Sequence, residues 1–349
     1  MRRWSRWGAI ALVVASLTWG CDDQPGPAGS GRPAGRLATV LNRGKLICGV
    51  SGELPGFSFV NKEGKYSGLD VDVCRAIAAA LFDDPEAVEF RNLNAKERFT
   101  AVQTGEVDIL SRNTTWTLSR DSSVGLEFAP VVFYDGQGIM VKQASGIRAL
   151  SDLANKAICI QIGTTTEQNL TDQMQKRGIP YRPIVFEDVN TTFTTYAEGR
   201  CDAVTADRSQ LVSRRTTLPN PNEHIILEEE LSKEPLAPAV VSGDPGWADM
   251  VRWAVFALIE AEELGITSKN LAQFKTSKDP AVRRFLGLEG DLGKGMTIPN
   301  DFASRIVKHV GNYAEIYDRN LGSQTQLNLP RGRNTLWKQG GLLFSPPFR

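Results

Sequence analysis

The chain has 349 residues, with 40 basic and 40 acidic side chains, 41% hydrophobic and 8% aromatic residues, and two histidines. That is apolar material for about two packed domains, and the ordinary glycine and proline content excludes collagen-like and disordered chains. A formal charge of zero removes the counterion-release contribution to polynucleotide affinity, and no basic run is longer than a pair such as Arg214 and Arg215, so no nucleic-acid partner is indicated.

In chain order, residues 1–20 read as an export signal: Arg2, Arg3 and Arg6 precede an apolar stretch from Trp7 to Leu17, too short for a membrane span of about 20 residues. Two cleavage readings stand. Leu17-Thr18-Trp19-Gly20-Cys21 resembles a bacterial lipoprotein box, which would place a lipid on Cys21. Ordinary cleavage nearby would leave residues 21–35 as a flexible tether without a lipid. Removing the first 20 residues leaves 37 basic against 40 acidic side chains, a net charge of −3. No second apolar run reaches 18 residues, so the expectation is an exported protein that forms no channel itself and meets the membrane only through an N-terminal lipid, if at all.

From Leu46 onward strands and helices alternate. Leu46–Val50 reads as a strand, Asp70–Phe82 as a helix with Val71, Ile77, Ala78 and Leu81 facing a core, and Val88–Phe90 as a second strand. Helix Lys96–Thr104 and strand Val107–Leu110 follow. The pattern restarts after Val141 with strand Ala157–Ile162, helix Thr165–Lys176, strand Arg182–Phe186, helix Thr191–Ala197 and strand Ala203–Ala206. The fold class is therefore α/β with two similar lobes. An internal echo agrees: Phe99, Gly105 and Asp108 recur 94 residues later as Phe193, Gly199 and Asp202. In each copy the glycine suits a left-handed helix end and the aspartate opens a strand.

Beyond Cys21 four cysteines remain, and an exported chain permits two disulfides. Of three pairings, Cys48 with Cys74 and Cys159 with Cys201 keeps each bridge within one lobe; the other reading is buried free thiols. No C-x-x-C spacing occurs and neither His224 nor His309 lies near a cysteine, so no metal or other cofactor is expected.

The strand ends carry the chemistry. Five residues after each echoed aspartate stand Asn113 and Asp207, at the C-terminal strand ends where open α/β sheets bind ligands. Around the first, Ser111-Arg112-Asn113-Thr114-Thr115 runs on to Arg120; a guanidinium holds a carboxylate through paired charge-assisted hydrogen bonds, and a threonine hydroxyl completes the shell. In the second lobe Thr164 and Glu167 have capping-box spacing around Thr165 and Thr166, which leaves a helix start able to meet an anion. With Asp207 supplying the opposite charge, donors and acceptor together complement a zwitterion, an α-amino acid. No G-x-S-x-G, G-x-x-x-x-G-K-[ST], H-E-x-x-H or G-x-G-x-x-G motif occurs, so no catalytic residue is assigned and no enzyme is expected.

Specific segments carry a resemblance. LPGFSF (Leu54–Phe59), GLDVDVCRAIAAALF (Gly68–Phe82), SRNTTWTLSRD (Ser111–Asp121), IGTTTEQNL (Ile162–Leu170), GRCDAVTADRSQL (Gly199–Leu211) and GGLLFSPPFR (Gly340–Arg349) resemble the family 3 substrate-binding proteins of bacterial ABC amino-acid importers, in the branch that binds general L-amino acids. The resemblance spans the chain from about Arg36. It implies a type II periplasmic-binding-protein fold: a first lobe of residues 36–141 plus 236–349 with a C-terminal extension, a second lobe of 142–235, and a two-strand hinge beside the ligand cleft. It implies that Arg120 and Thr115 hold the ligand α-carboxylate together with Thr165, and that the Asn113 backbone and Asp207 hold the ammonium. Leu54 stands where many relatives place an aromatic lid, and Arg112 becomes the specificity element for Glu, Gln, Asp or Asn. The implied protein is a periplasmic monomer that closes on its ligand, strengthening charge-assisted bonds in a drier cleft, and offers its closed form to membrane permease subunits. The alternative on the same scaffold is an exported dehydratase resembling cyclohexadienyl dehydratases.

Overall fold

In a computed structural model, residues 35–349 are described; the expected export signal, most of the expected tether and Cys21 lie outside them. The first part of the chain forms α1 (Gly35–Arg43), β1 (Leu46–Val50), β2 (Glu53–Leu54), β3 (Ser58–Val60), β4 (Tyr66–Ser67), α2 (Leu69–Phe82), β5 (Val88–Asn92), α3 (Arg98–Thr104), β6 (Ile109–Leu110), α4 (Leu118–Ser122) and β7 (Leu126–Phe128). Then come β8 (Phe133–Lys142), β9 (Ala157–Gln161), α5 (Thr165–Arg177), β10 (Arg182–Phe186), α6 (Val189–Ala197), β11 (Ala203–Asp207), α7 (Arg208–Arg215) and β12 (His224–Ile226). The chain returns through β13 (Lys233–Leu236) and β14 (Ala239–Val241) to α8 (Pro245–Glu263), followed by α9 (Leu271–Phe274), α10 (Pro280–Phe285), α11 (Leu292–Gly295), α12 (Phe302–His309) and α13 (Tyr313–Asn320).

Two sheets organise the lobes. The first runs β5-β1-β6-β14-β7, with β1 parallel to β5 and β6; the second runs β10-β9-β11-β8-β12, with β9 parallel to β10 and β11. A small β2-β3-β4 meander sits beside the first. Because helices cover both faces of each sheet, strand residues are buried in runs rather than in alternation, as in the first four residues of β9 and all five of β11. α2 packs on α8 and α12, which explains why Val71, Ile77, Ala78 and Leu81 are buried together with almost every other residue of that helix. The final residues are not a loose tail: Phe348 is buried against Trp253, Phe285 and Phe302, with ring centroids 5.1, 5.2 and 6.3 Å away.

The echoed aspartates do the same job in both lobes. The Asp108 N–H donates to the Ile47 carbonyl at 2.8 Å while its carboxylate accepts the Ile47 N–H at 2.7 Å. Asp202 repeats this on Ala157, at 2.8 Å in both directions. Each therefore clips the start of its strand to the neighbouring parallel strand. Both disulfides are present, Cys48–Cys74 tying β1 to α2 and Cys159–Cys201 tying β9 to the turn before β11.

One expectation needs correcting. The expected boundary at residue 141 falls inside a strand: β8 is one ten-residue strand whose Gln137–Lys142 portion pairs with β11 and β12 of the second sheet. Its first four residues, Phe133–Gly136, pair with β13 over Lys233–Leu236, and these two strands are the double crossing between lobes. Apolar pattern marks a strand but not its hydrogen-bonding partner, so the change of sheet within β8 leaves no local trace.

Candidate functional site: an interlobe cleft

The C-terminal ends of β1 and β6 face those of β9 and β11 across a cavity. From the first lobe it is lined by Ser51, Glu53, Leu54, Arg98, Arg112, Asn113 and Thr115; the second contributes Gln161, Thr164, Thr165, Thr166, Phe193 and Asp207 among others. Seven of the expected residues, Leu54, Arg112, Asn113, Thr115, Thr165, Thr166 and Asp207, thus come together. Arg120 does not line the cavity. It is buried behind it, donating from Nη1 to the Thr115 carbonyl at 2.8 Å, and its guanidinium lies 5.1 Å from the centre of the Phe99 ring.

On the first-lobe side the loop after β6 is held in a costly conformation. Asn113 has φ +30°, a region side-chain-bearing residues rarely enter, and its N–H donates to Asp70 Oδ2 at 3.0 Å. Asp70, from the GLDVD segment, is buried and its carboxyl is pushed up to about 7 by burial, opposed by the Asn113 hydrogen bond and by Arg112. The following residues are stitched to the hinge: Trp116 N–H donates to the Pro235 carbonyl at 2.8 Å and Ala237 N–H to the Thr114 carbonyl at 2.9 Å.

On the second-lobe side α5 begins as its sequence dictates. Thr164 caps the helix, accepting the Glu167 N–H at 3.2 Å, while the Glu167 carboxylate reaches back to the Gly163 N–H at 3.1 Å, one residue earlier than a standard capping box. Gln137 of β8 supports this corner, donating to the Thr166 carbonyl and to Thr205 Oγ1, both at 2.9 Å. Asp207 occupies the N-cap position of α7 without capping it; Asp135 takes that role, accepting from the Ser209 N–H and hydroxyl. The Asp207 carboxylate is left facing the cavity with no protein hydrogen-bond partner among the described residues. Burial, then Asp135 and Glu234, push its carboxyl well above the usual range, against the pull of Arg98 and Arg120.

Sequence reasoning missed three residues that matter. Arg98 lines the cavity, is 3% exposed, leaves its Nε without a partner, and has Arg112 and Arg120 as like-charged neighbours. Its signal was available: Arg98, Ala101 and Val102 share the buried face of α3, and an arginine on an apolar face needs an anion. Glu53 also lines the cavity, just before the LPGF turn. Glu234, on hinge strand β13, is 1% exposed and accepts from Thr115 Oγ1 at 2.5 Å, Thr165 Oγ1 at 2.8 Å, Asn169 Nδ2 at 2.7 Å and Ser232 Oγ at 2.5 Å. A hydroxyl has one proton to give, so here both threonines meet the cavity as acceptors, and a ligand carboxylate would have to win those protons from Glu234.

The lobes also meet away from the hinge. Ser213 Oγ donates to the Pro55 carbonyl at 2.7 Å, and Arg214 donates to the Glu53 carbonyl at 2.9 Å and to Asn190 Oδ1 at 2.6 Å. Helix α7 thus latches onto the meander of the first lobe.

Two α/β lobes, a double-strand hinge and a polar cleft holding buried cations beside an unpaired carboxylate define a solute-binding architecture. Residues 46–273 match the model of the bacterial extracellular solute-binding proteins, family 3, and the chain belongs to that family. It is 48% identical over 322 residues to the general L-amino acid-binding periplasmic protein AapJ of Rhizobium johnstonii, covering 92% of this chain and 94% of that one. It is 47% identical over 317 residues to the glutamate/glutamine/aspartate/asparagine-binding protein BztA of Rhodobacter capsulatus, covering 90% and 94%. Among solved structures, an ABC transporter/periplasmic binding protein from Brucella ovis with glutathione bound superposes with a TM-score of 0.89 at 48% identity, over 91% of this chain and all of that one.

Proposed function

We propose that this protein is the extracytoplasmic binding component of an ABC importer for amino acids. It takes a free L-amino acid with a polar or acidic side chain between its lobes and delivers it, unchanged, to a membrane permease. The observation that carries this reading is the unpaired Asp207 carboxylate in a cavity that also presents Arg98 and Arg112, with Arg120 just behind: the two charge signs of a zwitterion, already placed. The names of the relatives support it. The ammonium pairs with Asp207, the α-carboxylate with the Arg98–Arg120 side and the free N–H groups at the start of α5, and the side chain points toward Arg112.

A second ligand class is favoured by one feature. A more open pocket adjoins the cavity, sharing Ser51, Glu53, Arg112, Gln161 and Val189 and extending to Asn92, Asn94, Glu97 and Asp188. That annex gives room for a substituent on the ligand side chain, as in glutathione, whose glutamyl residue keeps its α-amino and α-carboxylate groups free.

The deciding experiment is a thermal-shift panel of the protein lacking residues 1–20 against the twenty L-amino acids and glutathione, with calorimetric titration of the hits and recovery of the ligand afterwards. Stabilisation by several polar or acidic amino acids at micromolar concentration, with the ligand recovered intact, is expected. No stabilisation by any of them would sink the importer reading, and consumption of the ligand would favour the dehydratase alternative.

A further inference from the structure

The cavity holds a pair of opposite charges left over once the zwitterion has been accounted for. Arg112 is 6% exposed; its Nε donates to the Leu93 carbonyl at 2.7 Å, which fixes the side chain, and among the described residues no protein acceptor engages its two terminal nitrogens. Glu53 lines the same cavity and forms no ion pair within 4 Å, although Arg214 and, after it, Arg112 stand close enough to attract it. The backbone of Glu53 is held by Arg214, so the carboxylate is presented from a fixed point where the lobes meet. Cation and anion therefore share one wall space without neutralising each other through contact.

A ligand side chain entering between them meets a donor and an acceptor at once. A carboxylate satisfies Arg112 but brings a like charge toward Glu53, and an ammonium does the reverse. A primary amide satisfies both, its carbonyl accepting from Arg112 and its N–H donating to Glu53, with no net charge to desolvate.

We propose that Glu53 and Arg112 together read the ω-amide of the ligand, and that Glu53 is the residue that sets glutamine and asparagine above glutamate and aspartate. The inference rests on the amino-acid-binding reading and refines it. Deletion of the Glu53 charge relieves the repulsion felt by an acidic ligand while leaving the α-group contacts in place. The groups facing Glu53 are Asp188 and Asn190 at the start of α6, Arg214 of α7 and Arg112 of the loop after β6. Burial and Asp188 raise the Glu53 carboxyl, against the pull of Arg214 and Arg112.

The test is calorimetric titration of L-glutamine and L-glutamate against the wild-type protein and Glu53→Gln at pH 7.5. The wild type should bind glutamine more tightly, and Glu53→Gln should narrow the glutamine-to-glutamate ratio by about tenfold, chiefly through tighter glutamate binding. A wild type that prefers glutamate, or a ratio unchanged in Glu53→Gln, overturns the proposal while leaving amino-acid binding intact. Failure of the wild type to bind either ligand overturns the underlying reading instead. If Glu53→Gln does not fold, the same ratio measured on Glu53→Ala at pH 7.5 serves. It should narrow there too, and an unchanged ratio in that variant overturns the assignment.

Discussion

Residue by residue, the cleft distributes its charges so that two arginines compete for one role. Arg120 sits where the resemblance puts the carboxylate clamp, yet Arg98 is the one lining the cavity. Arg120→Ala is expected to lose about 2 to 3 kcal/mol of ligand binding, the scale of a buried charge-assisted hydrogen bond, as measured by calorimetry. Near-normal affinity in Arg120→Ala together with a large loss in Arg98→Ala would move the clamp to Arg98. Asp207→Asn keeps the shape and removes the charge, and should weaken amino-acid binding at least about tenfold at pH 7.5; an unaltered affinity would remove Asp207 from the ammonium site. What the sequence made legible at this scale was local. Thr164 could be read as a cap because its partner is three residues away, and Asn113 and Asp207 could be placed because strand ends follow strands. Glu234 could not be read, since its meaning comes from Thr115 and Thr165, 119 and 69 residues distant.

Among the elements, the hinge pair β8–β13 and the latch helix α7 oppose each other across the cleft. The hinge fixes where the lobes turn, and Ser213 and Arg214 reward closure with hydrogen bonds to the carbonyls of Pro55 and Glu53. Arg214→Ala removes the larger part of that latch and leaves the hinge intact. The ligand-free variant should populate a more open form, seen as a larger radius of gyration in small-angle scattering, with ligand affinity lowered several-fold. Unchanged scattering in the ligand-free state would show that the latch does not bias closure. Cys48–Cys74 and Cys159–Cys201 close loops of 26 and 42 residues, and reducing either should cost about 3 to 4 kcal/mol of stability in denaturant titrations. Strand and helix existence was legible here because each lobe obeys simple periodicity, Leu46–Val50 and Arg182–Phe186 being placed to the residue. The change of sheet inside β8 was not, because pairing is set by tertiary neighbours.

For the molecule as a whole, buried carboxyls set a pH response with two opposite faces. Asp70 and Asp135 are pushed up to about 7 and about 6, and Glu260 to about 7, in each case chiefly by burial, and Asp207 is likewise raised, chiefly by burial. Each folded-state value lies above its unfolded one, so the folded protein binds the extra protons. The stabilisation is complete near pH 4 and is lost as pH rises through 6 to 7 and beyond. The ligand-free protein should therefore melt higher at pH 5.5 than at pH 8, whereas the ligand-induced shift in melting temperature should shrink over the same descent, because protonated Asp207 no longer attracts an ammonium. Parallel trends in the two quantities would contradict this account.

The position of β14 has a consequence for how the chain is assembled. It lies between β6 and β7 in the first sheet, yet it follows the whole of the second lobe in sequence. The first sheet is therefore missing an interior strand until Ala239–Val241 emerges, while strands β8 to β12 of the second sheet form one uninterrupted stretch of chain. As the chain is threaded out from its N-terminus, the lobe encountered second is the one able to complete its sheet first. Its Cys159–Cys201 bridge can close on a finished scaffold, and the earlier lobe waits on its last strand to become whole.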